Sequence, residues 1–448
     1  MPKKFLIGAA FIAFIGMAAY GQNQAPRQSE SNTRLVGQAL PSDQRMLNQW
    51  AEQAVEQSAA KPQRLQSSVQ ELKDLIESDP QLIMQFNQMF EQIPDAPKFK
   101  TDPTGAPQIK DYWQMLRVMN TIITKAPEFS LKDIHGLIGF PINTILDWPM
   151  GTPAGTTVFL NEKVNRVLKK ILRQWAVFLS SKDSRYVLSN DPQKGWLGRD
   201  ALKAMPGFAD NFVCDPAKPY YGFLSWDDFF TRRFRQNRRP VASPNDSSVI
   251  VNPCESAPYR LAYNVKGNDL FWIKGQPYSL YHMMDGDPLT AQFVGGTIYQ
   301  AFLSALSYHR WHSPVSGKLV KVKLIDGSYY AEALSAGYDP AGPNDSQAYI
   351  THVASRALVF IQADNPQIGL ICVIFVGMAE VSSNEVTVYE GQHVSKGDDL
   401  GTFHFGGSTY VLIFRPGVKL QFDLRGQTPG PDSKDIPVRS RIATLLKN

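Results

Sequence analysis

From Val158 to Leu179 apolar residues recur at three- and four-residue steps. Leu160, Val164, Val167, Leu168, Ile171, Leu172, Trp175, Phe178 and Leu179 take one side, and Lys163, Arg166, Lys169, Lys170 and Arg173 the other. That spacing predicts an amphipathic helix docked on a core. A second helix is expected over Leu72 to Ile76, ahead of the Asp79-Pro80 break. A third is expected from Ser225 to Arg235, where Ser225 and Asp228 stand at capping-box spacing. Its basic end, Arg232-Arg233-Phe234-Arg235 with Arg238 and Arg239 behind it, reads either as a solvated helix C-terminus or as a patch for anionic headgroups.

Past Pro240 the period changes. Val320, Val322 and Leu324 alternate with Lys321 and Lys323, which predicts a half-buried strand, and Ala357 to Ala363 and Gly369 to Gly377 are short apolar runs bounded by turn residues. The turn-rich stretch Glu390 to Gly401 has the spacing of a barrel-sandwich hairpin, without the lysine that a lipoyl or biotinyl carrier needs at its tip. The expected fold class is therefore α+β, a helical N-terminal domain followed by a β-rich, barrel-sandwich-like domain. The boundaries fall at 61–235 for the helical domain and 236–448 for the β-rich one.

The N-terminus has a different character. Lys3 and Lys4 precede an apolar run from Phe5 to Ala19, and Ala19-Tyr20-Gly21 offers small residues at a cleavage site. Residues 1–21 are expected to be a signal peptide and the protein to be exported, periplasmic or secreted; an uncleaved membrane anchor is the alternative. Residues 22–60 are expected to form a Gln- and Ser-rich disordered tether and an entry helix. With 448 residues, 43% hydrophobic and 19% charged, the chain is neither a single small module nor wholly disordered. A net charge of +5 gives no case for nucleic acid. Three dispersed cysteines, Cys214, Cys254 and Cys372, make no framework, although one disulfide stays open.

Two segments carry candidate chemistry. Tyr308-His309-Arg310-Trp311-His312-Ser313-Pro314 holds two of the seven histidines, and no set of further ligands accompanies them, so no metal is expected. Phe403-His404-Phe405-Gly406-Gly407-Ser408-Thr409 leads into the apolar run Tyr410 to Phe414, where Gly-Gly alone would signal no more than a tight turn or bulge.

Together these segments resemble the phosphatidylserine decarboxylase family of pyruvoyl enzymes. The family's Tyr-His-Arg-x-His-x-Pro-x-x-Gly matches residues 308–317, its Gly-Ser-Thr processing site matches from Gly407, and its Phe-Phe-x-Arg and Arg-Pro elements match Phe229 to Arg232 and Arg239-Pro240. Glu71 to Pro94, Leu179 to Arg185, Gly195-Trp196-Leu197 and Pro219 to Phe223 are similar to the helical domain of the L-tryptophan decarboxylase branch. Where the family has Pro-x-Asp-Gly, this chain has Pro253-Cys254-Glu255-Ser256.

The resemblance implies self-processing. Ser408 would attack the Gly407 carbonyl, and the resulting ester would eliminate, cutting the chain between 407 and 408 and leaving a pyruvoyl cofactor derived from Ser408. His312 is the candidate base and Glu255 the carboxylate expected to orient it. In the second reaction the substrate amine joins the pyruvoyl ketone as a Schiff base, CO₂ leaves, and His309 or His312 returns a proton. The processed chain 408–448 would stay with the large chain, and a homo-oligomer is left open. The substrate is expected to be a free aromatic amino acid such as tryptophan, with Trp272, Tyr278, Tyr281 and Trp311 as candidate stacking partners. A serine phospholipid, reached through peripheral membrane contact, is the alternative. More remote are an uncut serine hydrolase and a binding homologue.

Overall fold

The computed structural model describes residues 44–93, 109–129, 140–269, 278–304, 306–333, 346–380, 383–430 and 432–446. The leader, most of the tether and Trp272 lie outside them.

Ten helices come first: α1 (Gln44–Ala60), α2 (Ser67–Ser78), α3 (Pro80–Glu91), α4 (Tyr112–Ile122), α5 (Pro141–Met150), α6 (Pro153–Leu160), α7 (Glu162–Leu179), α8 (Arg199–Ala204), α9 (Phe208–Asn211) and α10 (Trp226–Phe230). The Val158 to Leu179 stretch is two helices. Asn161 accepts from the Lys163 and Val164 amides and starts α7 afresh, because an Asx side chain satisfies amides that a continuous helix would leave to its own carbonyls. Leu160, on the expected apolar stripe, is consequently exposed. The helix at Leu72 to Ile76 is α2, and Asp79 caps the next one.

The helix expected to reach Arg235 stops at Phe230. Ser225 caps it as predicted, but Arg232 is neither solvated nor a headgroup contact: it is buried and donates to the carbonyls of Leu306 (2.6 Å) and Ser307 (3.1 Å).

Thereafter come β1 (Val249–Val251), β2 (Ala257–Tyr263), α11 (Leu280–Met283), β3 (Thr297–Leu303), β4 (Arg310–His312), β5 (Gly317–Ile325), α12 (Gln347–Val353), β6 (Arg356–Ala363), β7 (Leu370–Met378), β8 (Asn384–Val386), β9 (His393–Val394), β10 (Asp399–Phe403), β11 (Gly407–Phe414), β12 (Leu420–Phe422) and β13 (Arg441–Leu445). A seven-stranded antiparallel sheet runs β2-β3-β11-β7-β6-β5-β9, beside small sheets β1-β13-β12 and β4-β10-β8. The architecture is α+β with an open main sheet.

Both faces of the main sheet are covered. Val411 and Ile413 join one core with Ile374 and Met283, while Tyr410, Leu412 and Phe414 join another with Trp311 and Ile442. Burial on both sides is why β6, β7 and β11 read as continuous apolar runs rather than alternations. In β5 the expected faces are reversed. Gly317, Leu319 and Ile325 face inward while Val320 and Leu324 are exposed, and Lys321 and Lys323, on the inward side, pair with Asp287 and Asp285.

The helical core does not end at residue 235. It takes in Tyr308, Phe405 and Val438 from the β-rich part. All three cysteines are free. Among the described residues no helix is long and apolar enough to cross a membrane.

Candidate active site

Ser408 is the second residue of β11, in register with Leu303 of β3 and Gly377 of β7. The Gly407-Ser408 bond thus lies where the chain enters the middle of the sheet. It is approached through Gly406 at φ 130, a backbone that side chains oppose. A Cβ on Gly407 would stand 2.7 Å from Phe140 Cζ, so the ring of the residue leading α5 packs over this bond and would have to shift for any larger residue. Ser408 is fully buried, and its Oγ has no hydrogen-bond partner. A buried hydroxyl left unpaired costs about 1–3 kcal/mol.

His312 is buried in β4. Nε2 lies 3.0 Å from the Tyr308 hydroxyl, and Nδ1 lies 3.0 Å from the Gly397 carbonyl and 3.1 Å from Arg439 Nη2. Burial first, then the Arg439 charge, pushes this imidazole down to about 3, so the ring is neutral. Glu255 does not meet it. Its carboxylate takes a forked pair from Arg239 (2.6 and 3.0 Å) and accepts the Val438 amide at 2.8 Å. The orienting contact expected between Glu255 and His312 is not made in this structure.

His309 lies in a different wall. Its carbonyl accepts from the Phe403 amide, and its ring stacks on Phe230 with centroids 4.0 Å apart. Neither ring nitrogen has a partner in hydrogen-bonding geometry. Burial, reinforced by the Arg232 guanidinium, holds this imidazole well below its ordinary value and therefore neutral. Arg232, by gripping the carbonyls of Leu306 and Ser307, fixes the turn that delivers His309.

Three groups were not visible in the sequence. Arg439 stands outside every motif. Glu380 accepts from the Ile142 and Asn143 amides at the start of α5 while its Oε2 goes unpaired, and burial pushes its carboxyl up to about 8. Asp435 accepts from the Ser307 hydroxyl at 3.0 Å, and burial, with Glu255 nearby, moves it up to about 7. Of the expected aromatics, Trp311 stacks on Phe375 at 4.1 Å inside a core and Tyr278 bonds Gln300, so both pack the scaffold. Tyr281 borders a surface cleft with His282 and Arg356.

The segment before Gly407 is pinned by His404, whose Nδ1 meets Asp227 of α10 at 3.0 Å and whose Nε2 meets Glu385 at 2.9 Å. Burial lowers this imidazole, but the two carboxylates outweigh it and the net shift is upward. A raised folded-state pKa stabilises fully below the unfolded value near 6.5 and is lost as pH rises through the folded one. The urea midpoint of the protein is therefore expected to fall as pH rises above about 6.5, and His404→Gln to flatten that fall. An equal decline in both proteins would contradict the assignment.

Two phosphatidylserine decarboxylase family models match the chain, over residues 66–205 and 226–429. The chain is also 41% identical over 387 residues to an L-tryptophan decarboxylase of Psilocybe cubensis, spanning 82% of this chain and 84% of that one. The chain belongs to the phosphatidylserine decarboxylase family. The decarboxylase is further similar to decarboxylase iboD of Amanita muscaria, at 45% over 329 residues, 68% of this chain and 94% of the relative. A phosphatidylserine decarboxylase proenzyme of Chlamydia trachomatis is 28% identical over 298 residues, 64% of this chain and 88% of the relative. The decarboxylase is thus a carboxy-lyase, and the hydrolase and binding-module alternatives fall away.

Proposed function

We propose that the decarboxylase cuts itself between Gly407 and Ser408, carries the resulting pyruvoyl group at position 408, and decarboxylates a free aromatic L-amino acid. The observation that carries this reading is the unpartnered, fully buried Ser408 Oγ beside a glycine over which the Phe140 ring packs closely. Those residues fit a group made from the chain itself.

In processing, Ser408 Oγ bonds to the Gly407 carbonyl carbon as the peptide C–N bond breaks, giving an ester. Loss of the Ser408 α-proton and of the Gly407 carboxylate leaves dehydroalanine, and water then releases ammonia and leaves the ketone. The neutral His312 takes and returns the protons of these steps. When present, the pyruvoyl ketone supplies an electron sink for the bond to the departing carboxylate. His309, neutral and unpaired, accepts a proton from the incoming ammonium and returns one to the α-carbon after CO₂ leaves. Phe230, Phe405 and Trp175 exclude water around it; Phe405 stands 5.0 Å from Trp175 and 5.8 Å from Phe230.

Two observations favour the free amino acid over the serine phospholipid. The similarity to the L-tryptophan decarboxylase spans most of both chains, and the helical domain supplies Phe140, Trp175 and Phe230 to the surroundings of the site. Amine release from tryptophan, tyrosine and phenylalanine is expected to exceed turnover of phosphatidylserine in vesicles by at least about tenfold in kcat/KM. Preference for the phospholipid would reverse the assignment. The Lys3, Lys4 and Phe5 to Ala19 pattern supports export as part of the same proposal.

A further inference from the structure

Next to Ser408 lies a buried run of polar side chains that the processing chemistry leaves unused. Thr409, the following residue of β11, is fully buried, as is Gln300 of β3, and Tyr278 is buried beside them. Gln300 pairs with Val411, two residues along β11 from Thr409 and on the same face of the sheet. Gln300 Nε2 lies 3.1 Å from the Gln347 carbonyl and 3.0 Å from Thr409 Oγ1, its Oε1 meets the Tyr278 hydroxyl, and Thr409 Oγ1 lies 2.8 Å from the Ala301 carbonyl.

Two of these partners are backbone carbonyls, which can only accept, and they fix the direction of every bond. The Gln300 atom facing Gln347 must be the amide nitrogen. Thr409 gives its one hydroxyl proton to Ala301, so it accepts from the second Nε2 hydrogen. Gln300 Oε1 is left to accept from Tyr278, whose hydroxyl is kept protonated because burial pushes its pKa up. Neither Gln300 nor Thr409 leaves a buried polar atom unpaired, in contrast to Ser408 beside them.

The proposed cut changes what holds the start of β11. Turning residue 408 into a ketone removes its nitrogen, so the first backbone N–H of the small chain becomes that of Thr409. The cut also parts residue 408 from the preceding segment, which is tied down by His404 on Asp227 and Glu385 and by the Phe403 amide on the His309 carbonyl. Chain ends fray unless something ties them. The Thr409 hydroxyl is the first side-chain tie available, one residue from the ketone.

We propose that Tyr278, Gln300 and Thr409 are positioning residues that moor the new N-terminus of the small chain and hold the residue-408 ketone in place for the substrate amine. The proposal rests on the self-processing reading above. In the uncut chain the mooring is redundant, because the backbone on both sides of Thr409 is held. In the cut enzyme it replaces the covalent link that was lost.

Thr409→Val keeps the side-chain shape and removes the hydroxyl. It is expected to cut, and then to show kcat/KM reduced about tenfold to hundredfold, because a small displacement of a reacting group costs that much. Thr409→Ser, which keeps the hydroxyl, should recover most of the loss. Deuterium exchange separates mooring from plain core packing. In the cut enzyme the Thr409 and Tyr410 amides are expected to exchange at least about tenfold faster with Thr409→Val than without it, whereas in the uncut Ser408→Ala chain the same substitution should change them by less than about threefold. Equal acceleration in both backgrounds overturns the proposal, as does none in the cut enzyme. A Thr409→Val chain that keeps its melting temperature but does not cut also overturns it, by placing the hydroxyl in the first reaction.

Should Thr409→Val fail to fold, Tyr278→Phe removes only the far end of the chain and is measured in the same two backgrounds. Acceleration confined to the cut enzyme supports the mooring, and its absence overturns it. A wild-type chain whose intact mass stays at full length sinks the processing reading and the mooring with it. A wild-type chain that cuts, beside unaltered exchange in cut Thr409→Val, sinks the mooring alone.

Discussion

Ser408→Ala is expected to yield a single uncut chain with no decarboxylase activity, whereas wild type separates on denaturation into a large piece and fragment 408–448 whose N-terminus resists Edman degradation. Alanine lacks the Oγ that attacks the Gly407 carbonyl, so neither the cut nor the ketone forms. The substitution should not disturb folding. Ser408 Oγ makes no hydrogen bond, and its backbone pairings with Leu303 and Gly377 need no side chain. Removing an unpaired buried hydroxyl is expected to leave stability unchanged or slightly higher. Intact mass and amine release measured together decide the matter: activity in the uncut variant would disprove the origin of the cofactor.

His309→Gln is expected to separate the two reactions. The variant should still release fragment 408–448, because His309 is assigned no part in processing, but its kcat should fall by about 10²–10⁴. The wild-type kcat should also lack an acid limb near the free imidazole value of about 6.5. The ring works from its neutral form, and burial with Arg232 holds its pKa well below that value, so the base persists as pH falls. A kcat within tenfold of wild type, in a variant that has processed fully, would remove His309 from the second reaction.

The sequence revealed those elements whose environment is uniform along their length. Strands β6 and β7 are covered on both faces, so nearly every position is apolar, Arg356 and Gln362 apart, and the runs 357–363 and 369–377 stand out. Helix α2 repeats against one core. Prediction failed where a single local event outweighed the pattern: the Asn161 cap that divides α6 from α7, the Asp287 and Asp285 carboxylates that take Lys321 and Lys323 while Val320 and Leu324 face out, and the burial of Arg232 beneath a turn some seventy residues away.

The site divides in the same way. Ser408, His309 and His312 could be singled out because the proposed chemistry requires particular residue types at fixed spacing. Their partners were not. Nothing in a lone arginine at 439, between Val438 and Ser440, or in a lone glutamate at 380, announces which ring or helix end it will meet across the fold. Glu255 was placed at the right turn but matched to the wrong partner, since Arg239, sixteen residues earlier, competes for it with a forked geometry that an imidazole cannot equal.

Strand β11 is clamped between β3 and β7, with β13 pairing β1 further along. Both flanking strands precede Gly407, so the proposed cut would leave the ladders intact and the small fragment interleaved with the large one. Folding would then become an event of the past for the processed protein. The uncut chain can lay β11 into a sheet whose other strands are tethered to it, whereas the mature pieces, once unfolded, would have to find each other by collision. The working molecule would thus outlast the connectivity that built it, and its lifetime is set by how slowly the sheet opens rather than by an equilibrium to which it can return.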